Sequence, residues 1–184
     1  MDETSISPTA SRPWSRLRKL AGWAAQIAFL AAGVSTVYFF QTRNLLDTDG
    51  TIAPPLALTS LDGGAVDLHG STGTPTLVYF FAPWCHVCAA SAHNIRATRR
   101  SQADDELSIL LVALDWEDEE EVRRYATEHE LEVPVLLGDS RTARDWQVFG
   151  FPTYYVIDGQ NRLAHKDFGY SSRLGLWWRT RFTD

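Results

Sequence analysis

Thr76-Leu77-Val78-Tyr79-Phe80-Phe81-Ala82-Pro83-Trp84-Cys85-His86-Val87-Cys88 is the stretch from which the rest of the chain can be read. Its first six residues are a continuous apolar and aromatic run between Pro75 and Pro83, the pattern of a strand buried on both faces. A helix is expected next, from about Cys85 to Arg100, with Arg96, Arg99 and Arg100 suiting the negative C-terminal end of its dipole. The two cysteines thus lie where a strand hands over to a helix. Free backbone N–H groups and the helix dipole favour negative charge there, so Cys85 is expected to have a lowered pKa and to present a thiolate. Cys88 lies about one helical turn further on, within bonding reach, and is the natural resolving thiol. In such a pair a thiolate attacks a partner disulfide, a mixed disulfide forms, and the second thiol releases it.

Other uses of the pair fit less well. A loop of four residues gives little chain-entropy stabilisation, so a purely structural staple is weakly motivated. Haem attachment through Cys-x-x-Cys-His is excluded, because Ala89 follows the second cysteine. His86, as a cation, would lower the pKa of Cys85 further and make the disulfide more oxidising, while a solvent-exposed imidazole would have little influence. His69, His93, His129 and His165 show no metal-ligand spacing and read as surface residues. A metal module holding Cu(I) or Zn through Cys85, Cys88 and a histidine is the rival class, although a closed zinc site usually needs four ligands.

Outward from this motif, Leu56–Leu61 and Ala65–Leu68 flank Asp62-Gly63-Gly64, a hairpin signal. Leu107–Leu114 reads as a second buried strand. Glu117–His129 reads as a helix whose acidic first turn suits the helix dipole and is a solvated start rather than a metal site. A short strand at Val133–Leu137, a short helix near Arg141–Val148 and a strand at Thr153–Ile157 follow. The turn Asp158-Gly159-Gln160-Asn161 leads to a strand at Arg162–Phe168 and a helix from about Ser171. Trp177-Trp178-Arg179 is expected to lie on a helix packed on the sheet rather than on a membrane surface. This order implies an α/β, three-layer α/β/α domain with a mixed sheet and an N-terminal β-hairpin.

The 184 residues hold one ordinary domain plus something small. A hydrophobic fraction of 45% is enough for a packed core and excludes a disordered chain. A formal net charge of −6 argues against a nucleic-acid binder. The charge is uneven: residues 1–43 carry five basic and two acidic side chains, and residues 44–184 carry 12 and 21. From Leu20 to Phe40 there is no charged residue, and these 21 positions reach ~31 Å as a helix, matching a ~30 Å hydrocarbon core. A cleaved signal peptide would have a shorter run and a small-residue cleavage site, whereas this one ends in Val37-Tyr38-Phe39-Phe40. The expected organisation is a basic cytoplasmic segment (1–19), a transmembrane anchor (20–40), a tether (41–55) and an exported domain (56–184). The positive-inside rule places the N-terminus in the cytoplasm and the domain on the periplasmic or extracellular side.

Leu77–Cys88 resembles the active-site strand and helix start of thioredoxin-like proteins. About 65 residues on, Gly150-Phe151-Pro152-Thr153-Tyr154-Tyr155-Val156-Ile157-Asp158-Gly159 resembles that fold's cis-proline loop and following strand. With the apolar segment and the hairpin, the chain is similar to the membrane-anchored TlpA/ResA/DsbE-type group. Through Gly169-Tyr170-Ser171-Ser172 it is similar to the ScsD-like protein disulfide oxidoreductases within that group. The resemblance implies that Cys85 is the exposed nucleophile and Cys88 the buried resolver of a redox-active disulfide, with no cofactor and no metal. It implies that Trp84 packs beside the pair and that Pro152 is cis, leaving the Phe151 backbone free to dock a client segment. It further implies a reductase of client protein disulfides, as in cytochrome maturation, fed by a transmembrane thiol-reductant donor; His86 pulls toward an oxidant instead.

Three positions depart from the pattern. Tyr79 stands where thioredoxins carry a buried Asp, Ser91 where anchored reductases often carry a Glu, and Val87 where many carry a Pro. Both carboxylates that could deprotonate Cys88 are thereby missing, so water or another group has to serve. A thiol peroxidase would require Pro-x-x-x-Thr-x-x-Cys. Ala82 and Cys85 occupy the Thr positions before the two cysteines.

Overall fold

Strand β3 (Thr76–Phe81) is buried at every position, and its side chains alternate between two cores as strand geometry requires. Leu77, Tyr79 and Phe81 enter one core, Val78 and Phe80 the other. This two-sided burial explains why the run shows no polar alternation. The computed structural model describes residues 13–68, 73–103 and 105–183, so most of the expected cytoplasmic segment (1–12) and His69 lie outside the described residues.

By contact the chain divides into two compact units, residues 1–41 and 42–184. The first is dominated by helix α1 (Pro13–Thr42), in which Lys19–Thr42 is long and apolar enough to cross a membrane, with no buried residue in its apolar window. The second unit carries β1 (Leu56–Ser60) and β2 (Ala65–Leu68), paired as an antiparallel hairpin. After β3 come α2 (His86–Ser101), β4 (Ser108–Ala113), α3 (Glu119–Glu128) and β5 (Val135–Leu137). Helix α4 (Ser140–Asp145), β6 (Thr153–Ile157), β7 (Leu163–Phe168) and α5 (Arg173–Arg181) complete it.

The strands form one seven-stranded sheet in the order β2-β1-β5-β4-β3-β6-β7. Strand β3 pairs parallel with β4 and antiparallel with β6, which places it near the centre. The hairpin joins through antiparallel contacts of β1 with β5, Thr59 opposite Leu137. The fold is α/β with a mixed sheet and an N-terminal hairpin, as the order of elements implied, and it has the thioredoxin-like arrangement that the resemblance implied. Helix α5 does pack on the sheet, through buried Leu176 and Thr180, but Trp177 and Trp178 face outward.

The layers are unequal. Helices α2, α3 and α5 contribute Cys88, Ile95, Val122, Tyr125 and Leu176 to the first core. Opposite them, Trp146, just after α4, fills the second core with Phe80 and Tyr155 around it. Part of the segment read as a tether also enters that core. Leu45 and Ala53 are buried there, the Leu46 N–H donates to the Tyr155 hydroxyl at 3.2 Å, and Ile52 bridges to Arg162. Polar ends of the expected elements drop out of the ladders: α3 begins two residues later than its acidic run, with Asp118 as its cap.

Candidate functional site

Strand β3 ends at Phe81, and after Ala82-Pro83-Trp84 the chain enters α2 with Cys85 as its N-cap in extended backbone. The Cys85 sulfur accepts the Cys88 N–H at 3.1 Å, the role an Asp or Ser oxygen plays at other helix starts. Cys85 and Cys88 form a disulfide, with Cα atoms 5.2 Å apart. Cys88 has no exposed surface and Cys85 keeps only 6% of its own. The expected exposed nucleophile is therefore largely covered, because capping turns its sulfur back over the first turn of α2.

The other sequence-derived candidates divide. Trp84 is 56% exposed, and its indole N–H donates to the Asp115 carbonyl at 3.0 Å while its ring meets Phe151 edge-on at 5.8 Å. Phe151 is half-buried, Pro152 is buried, and the bond between them is cis. The loop is held from both sides: the Thr153 hydroxyl donates to the Gly150 carbonyl at 2.9 Å, and the Gly169 N–H donates to the Pro152 carbonyl at 2.8 Å. Gly150 admits no side chain, because a Cβ there would stand 2.9 Å from the Phe168 ring. His86, the first residue of α2, is exposed to solvent, as is Val87. Among the described residues, no group of three or more His, Cys, Asp or Glu side chains could hold a metal ion.

Beneath the disulfide lie polar residues that the motif reading did not assemble. Ser91, one turn past Cys88 on the buried face of α2, donates its hydroxyl to the Val87 carbonyl at 2.9 Å and accepts the Ser171 N–H at 3.3 Å. Asn94, a further turn along, donates to the Tyr170 hydroxyl and the Ser171 carbonyl, both at 2.9 Å. The Gly169–Ser172 loop is thereby fastened to the cysteine helix. Tyr79 and Tyr154, opposite each other on β3 and β6, stack at 6.1 Å. The Tyr154 hydroxyl donates to Asp167 at 2.9 Å, and Asp167 pairs with Arg179 of α5 at 2.5 Å. Burial pushes both tyrosines well above the usual range, Tyr79 furthest. The replacement of Asp by Tyr79 and of Glu by Ser91 was the sequence signal; only the structure brings the two together.

A second feature beside the loop was also missed. Leu114, Trp116, Gly138, Ala143 and Phe151 line an apolar recess of about 420 Å3 with Asp115 and Asp139 at its edge. The Trp116 indole N–H donates to the Gly138 carbonyl at 3.0 Å, fixing one wall. Leu114-Asp115-Trp116 follows the C-terminal end of β4, where α/β sheets place ligand-contacting loops; that position was the available signal.

Residues 50–166 match the model of the AhpC/TSA family. The thioredoxin-like protein YneN of Bacillus subtilis (strain 168) is 27% identical over 147 residues, spanning 76% of this chain and 85% of that protein. The thiol-disulfide oxidoreductase ResA of Bacillus cereus is 22% identical over 129 residues, 69% of this chain and 73% of that one. A thiol:disulfide interchange protein of the thioredoxin family from Chlorobium tepidum TLS superposes with a TM-score of 0.67 at 21% identity, over 75% of this chain and 99% of that structure.

Proposed function

The chain belongs to the AhpC/TSA family, and from that premise we propose that it is a thiol–disulfide oxidoreductase of the ResA/DsbE type, with Cys85 as nucleophile and Cys88 as resolver. The observation that carries this is the disulfide at the start of α2, with the Cys88 N–H aimed at the Cys85 sulfur at 3.1 Å. When the pair is reduced, that N–H and the helix dipole stabilise a Cys85 thiolate. The thiolate attacks one sulfur of a client disulfide; the client bond breaks, its second sulfur leaves as a thiolate, and a mixed disulfide forms on Cys85. The Cys88 thiolate then attacks Cys85, re-forms the 85–88 bond and releases the client sulfur. Two electrons have passed from the pair to the client.

Trp84, which follows β3 beside Cys85 and meets the Phe151 ring, and the cis Pro152 are the residues that dock the client in this reading. Phe151 precedes the ladder of β6, whose register begins at Thr153, so its backbone suits edge pairing with an extended client segment. The adjacent recess suits an apolar client side chain. His86, exposed at the helix start, would favour the reduced pair when protonated. The apolar helix at Lys19–Thr42 supports a membrane-anchored protein. The charge asymmetry about it supports an N-terminus in the cytoplasm and a catalytic domain outside. The net direction is taken as reduction of client disulfides, with electrons from a membrane thiol donor.

Reduction of insulin by the dithiol form tests the activity: turnover that is lost in Cys85→Ala is expected, and no turnover by the wild type overturns it. The reduction potential tests direction, since a value near ~−120 mV, that of a strong oxidant, overturns the reductase assignment.

A further inference from the structure

Helix α5 packs on the sheet by one face only. Leu176 and Thr180 point inward, one turn apart, and Arg179 beside them pairs with Asp167 of β7. Leu174, Trp177, Trp178 and Arg181 fall at helical spacing on the opposite face, and all four are exposed, Leu174 at 74%, Trp177 at 45% and Trp178 at 51%. Phe182, just past the helix, meets the two indole rings at 6.3 and 6.1 Å, and His165 of β7 stands 5.4 Å from Trp178. The aromatic group is thus braced on the surface. A helix apolar on both faces is expected to be covered on both, and a contiguous exposed apolar patch marks an interaction surface.

Three observations name the cover. The first is charge. Residues 44–184 carry 21 acidic side chains against 12 basic ones, yet α5 has Arg173, Arg179 and Arg181 and no acidic residue. Helix α2, in contact with it, has Arg96, Arg99 and Arg100 and no acidic residue either. Arg96, Arg100 and Arg179 are paired with Glu130, Glu132 and Asp167, while Arg173 and Arg181 stand exposed at the two ends of α5. The second is residue type: tryptophan, phenylalanine and leucine with arginine make the pattern of a helix lying in a bilayer interface. The third is the chain available. Helix α1 ends at Thr42, and Leu45 is already buried in the second core. Three residue steps, ~10 Å, therefore join a membrane-spanning helix to the folded domain, which keeps headgroups within the domain's reach. The lead then bridges Ile52, itself exposed, to Arg162 at the start of β7, the strand to which α5 is bonded through Asp167 and His165.

We propose that the outward face of α5, formed by Leu174, Trp177, Trp178 and Arg181 with Phe182, docks on the anionic headgroup surface of the membrane that holds α1. The proposal rests on the membrane-anchored reading above. Trp84 and the disulfide follow the Phe81 end of β3, and Trp84 contacts Asp115 and Phe151 rather than α5. Docking through α5 restricts the rotation of the domain and leaves the disulfide in water, open to clients.

The test uses the full chain in vesicles of phosphatidylethanolamine and phosphatidylglycerol carrying acyl-chain-brominated lipid, which quenches tryptophan inserted among the chains. Trp23 lies within α1, so Trp23→Phe is the background. There, Trp177→Ser/Trp178→Ser is expected to lose most of the remaining lipid-quenched intensity and Trp84→Phe none of it. Equal quenched intensity with and without Trp177 and Trp178 overturns the proposal, as does quenching that follows Trp84 instead. Each basic side chain at an anionic surface strengthens binding about fivefold. At the salt concentration where the wild type is half docked, Arg181→Gln should lower the docked-to-free ratio by that factor; an unchanged ratio overturns the headgroup assignment. Should the tryptophan variant fail to fold, amide hydrogen exchange of residues 173–182 in the wild type must be slower in these vesicles than in phosphatidylcholine alone, and equal exchange overturns the proposal. Dimers in detergent that the tryptophan variant dissociates would give the face to a second copy and overturn it too. A chain that washes off the vesicles, or a Trp23→Phe that leaves quenching unchanged, sinks the membrane-anchored reading itself; a retained chain with Trp177 and Trp178 unquenched sinks only this inference.

Discussion

Cys85 is a helix cap in the structure and the nucleophile of the proposed exchange, and substitutions separate the two. Serine keeps an oxygen able to accept the Cys88 N–H and alanine does not, so Cys85→Ala is expected to unfold more easily than Cys85→Ser by about 1 kcal/mol. For a domain of this size that is a Tm difference of about 2–4 °C by calorimetry; equal melting points would show that the cap contributes nothing. Both variants should lack turnover, while Cys88→Ala should accumulate clients as mixed disulfides on Cys85. Trapping by the Cys85 variants would reverse the assignment of the two sulfurs. The buried tyrosines give the molecule its alkaline limit. Burial raises Tyr79, Tyr125 and Tyr154 above their ordinary value of 10.0, and Tyr155 is pushed up to about 12. A raised folded-state pKa means stability fully present below pH 10 and lost as pH climbs through the folded values. Unfolding free energy should therefore hold level with respect to these groups up to about pH 10 and fall steeply near pH 12. The tyrosinate absorbance of these four buried residues, read as the difference from a variant in which exposed Tyr38 and Tyr170 are the only tyrosines left, should rise together with loss of structure, and its rise well before unfolding would contradict the burial.

At the scale of elements, the site depends on short pieces held by single contacts. Helix α4 has only six residues and is started by Asp139, which accepts the Thr142 N–H at 2.7 Å and its hydroxyl at 2.9 Å. Those bonds hold the Asp139 carboxyl below its usual range. Asp139→Ala should cost about 1 kcal/mol in urea unfolding and loosen the wall of the recess beside Phe151. Gly138, one residue earlier, is tighter still: a Cβ would meet Leu114 at 2.7 Å and Val112 at 2.8 Å. Gly138→Ala should thus destabilise by about 1–3 kcal/mol through overpacking, and no loss would mean that β4 yields easily. The type of each element was legible from its pattern, the apolar run of β3 most plainly. The ends were not, because polar residues such as Glu117 and Arg162 extend a sequence pattern without joining a ladder or a helix. The cover over Cys85 was likewise hidden, since it arises from the direction of a capping side chain.

For the whole molecule, the segment before the hairpin is part of the domain's support as well as its lead. Leu45 and Ala53 fill the second core, and the 45–53 stretch bonds to Tyr155, Asn161 and Arg162. A protein beginning at residue 42 should melt as one cooperative unit. One beginning at residue 56 loses a buried leucine among other contacts, and should be less stable by about 3 kcal/mol or more; equal denaturation midpoints would show that these contacts are superficial. That the segment is both lead and packing was not readable from Asp47, Asp49, Gly50, Pro54 and Pro55, which signal turns whether or not the chain between them is buried.

The sequence by itself determined where the cysteine pair stands and that one segment is long and apolar enough to cross a membrane. Two cysteines spaced by a helical turn behind a buried strand, a proline before a second strand, and an uncharged run long enough for a bilayer are local patterns, and local geometry follows from them directly. Tertiary structure alone decided what surrounds the sulfurs: the cover over Cys85, the recess by Phe151, and the meeting of Ser91 with Tyr79 and with Ser171. These residues lie on β3, on α2 and in the loop before α5, as many as 92 positions apart in the chain. No pattern of spacing encodes their contact, because it is the stacking of helix on sheet that brings them together.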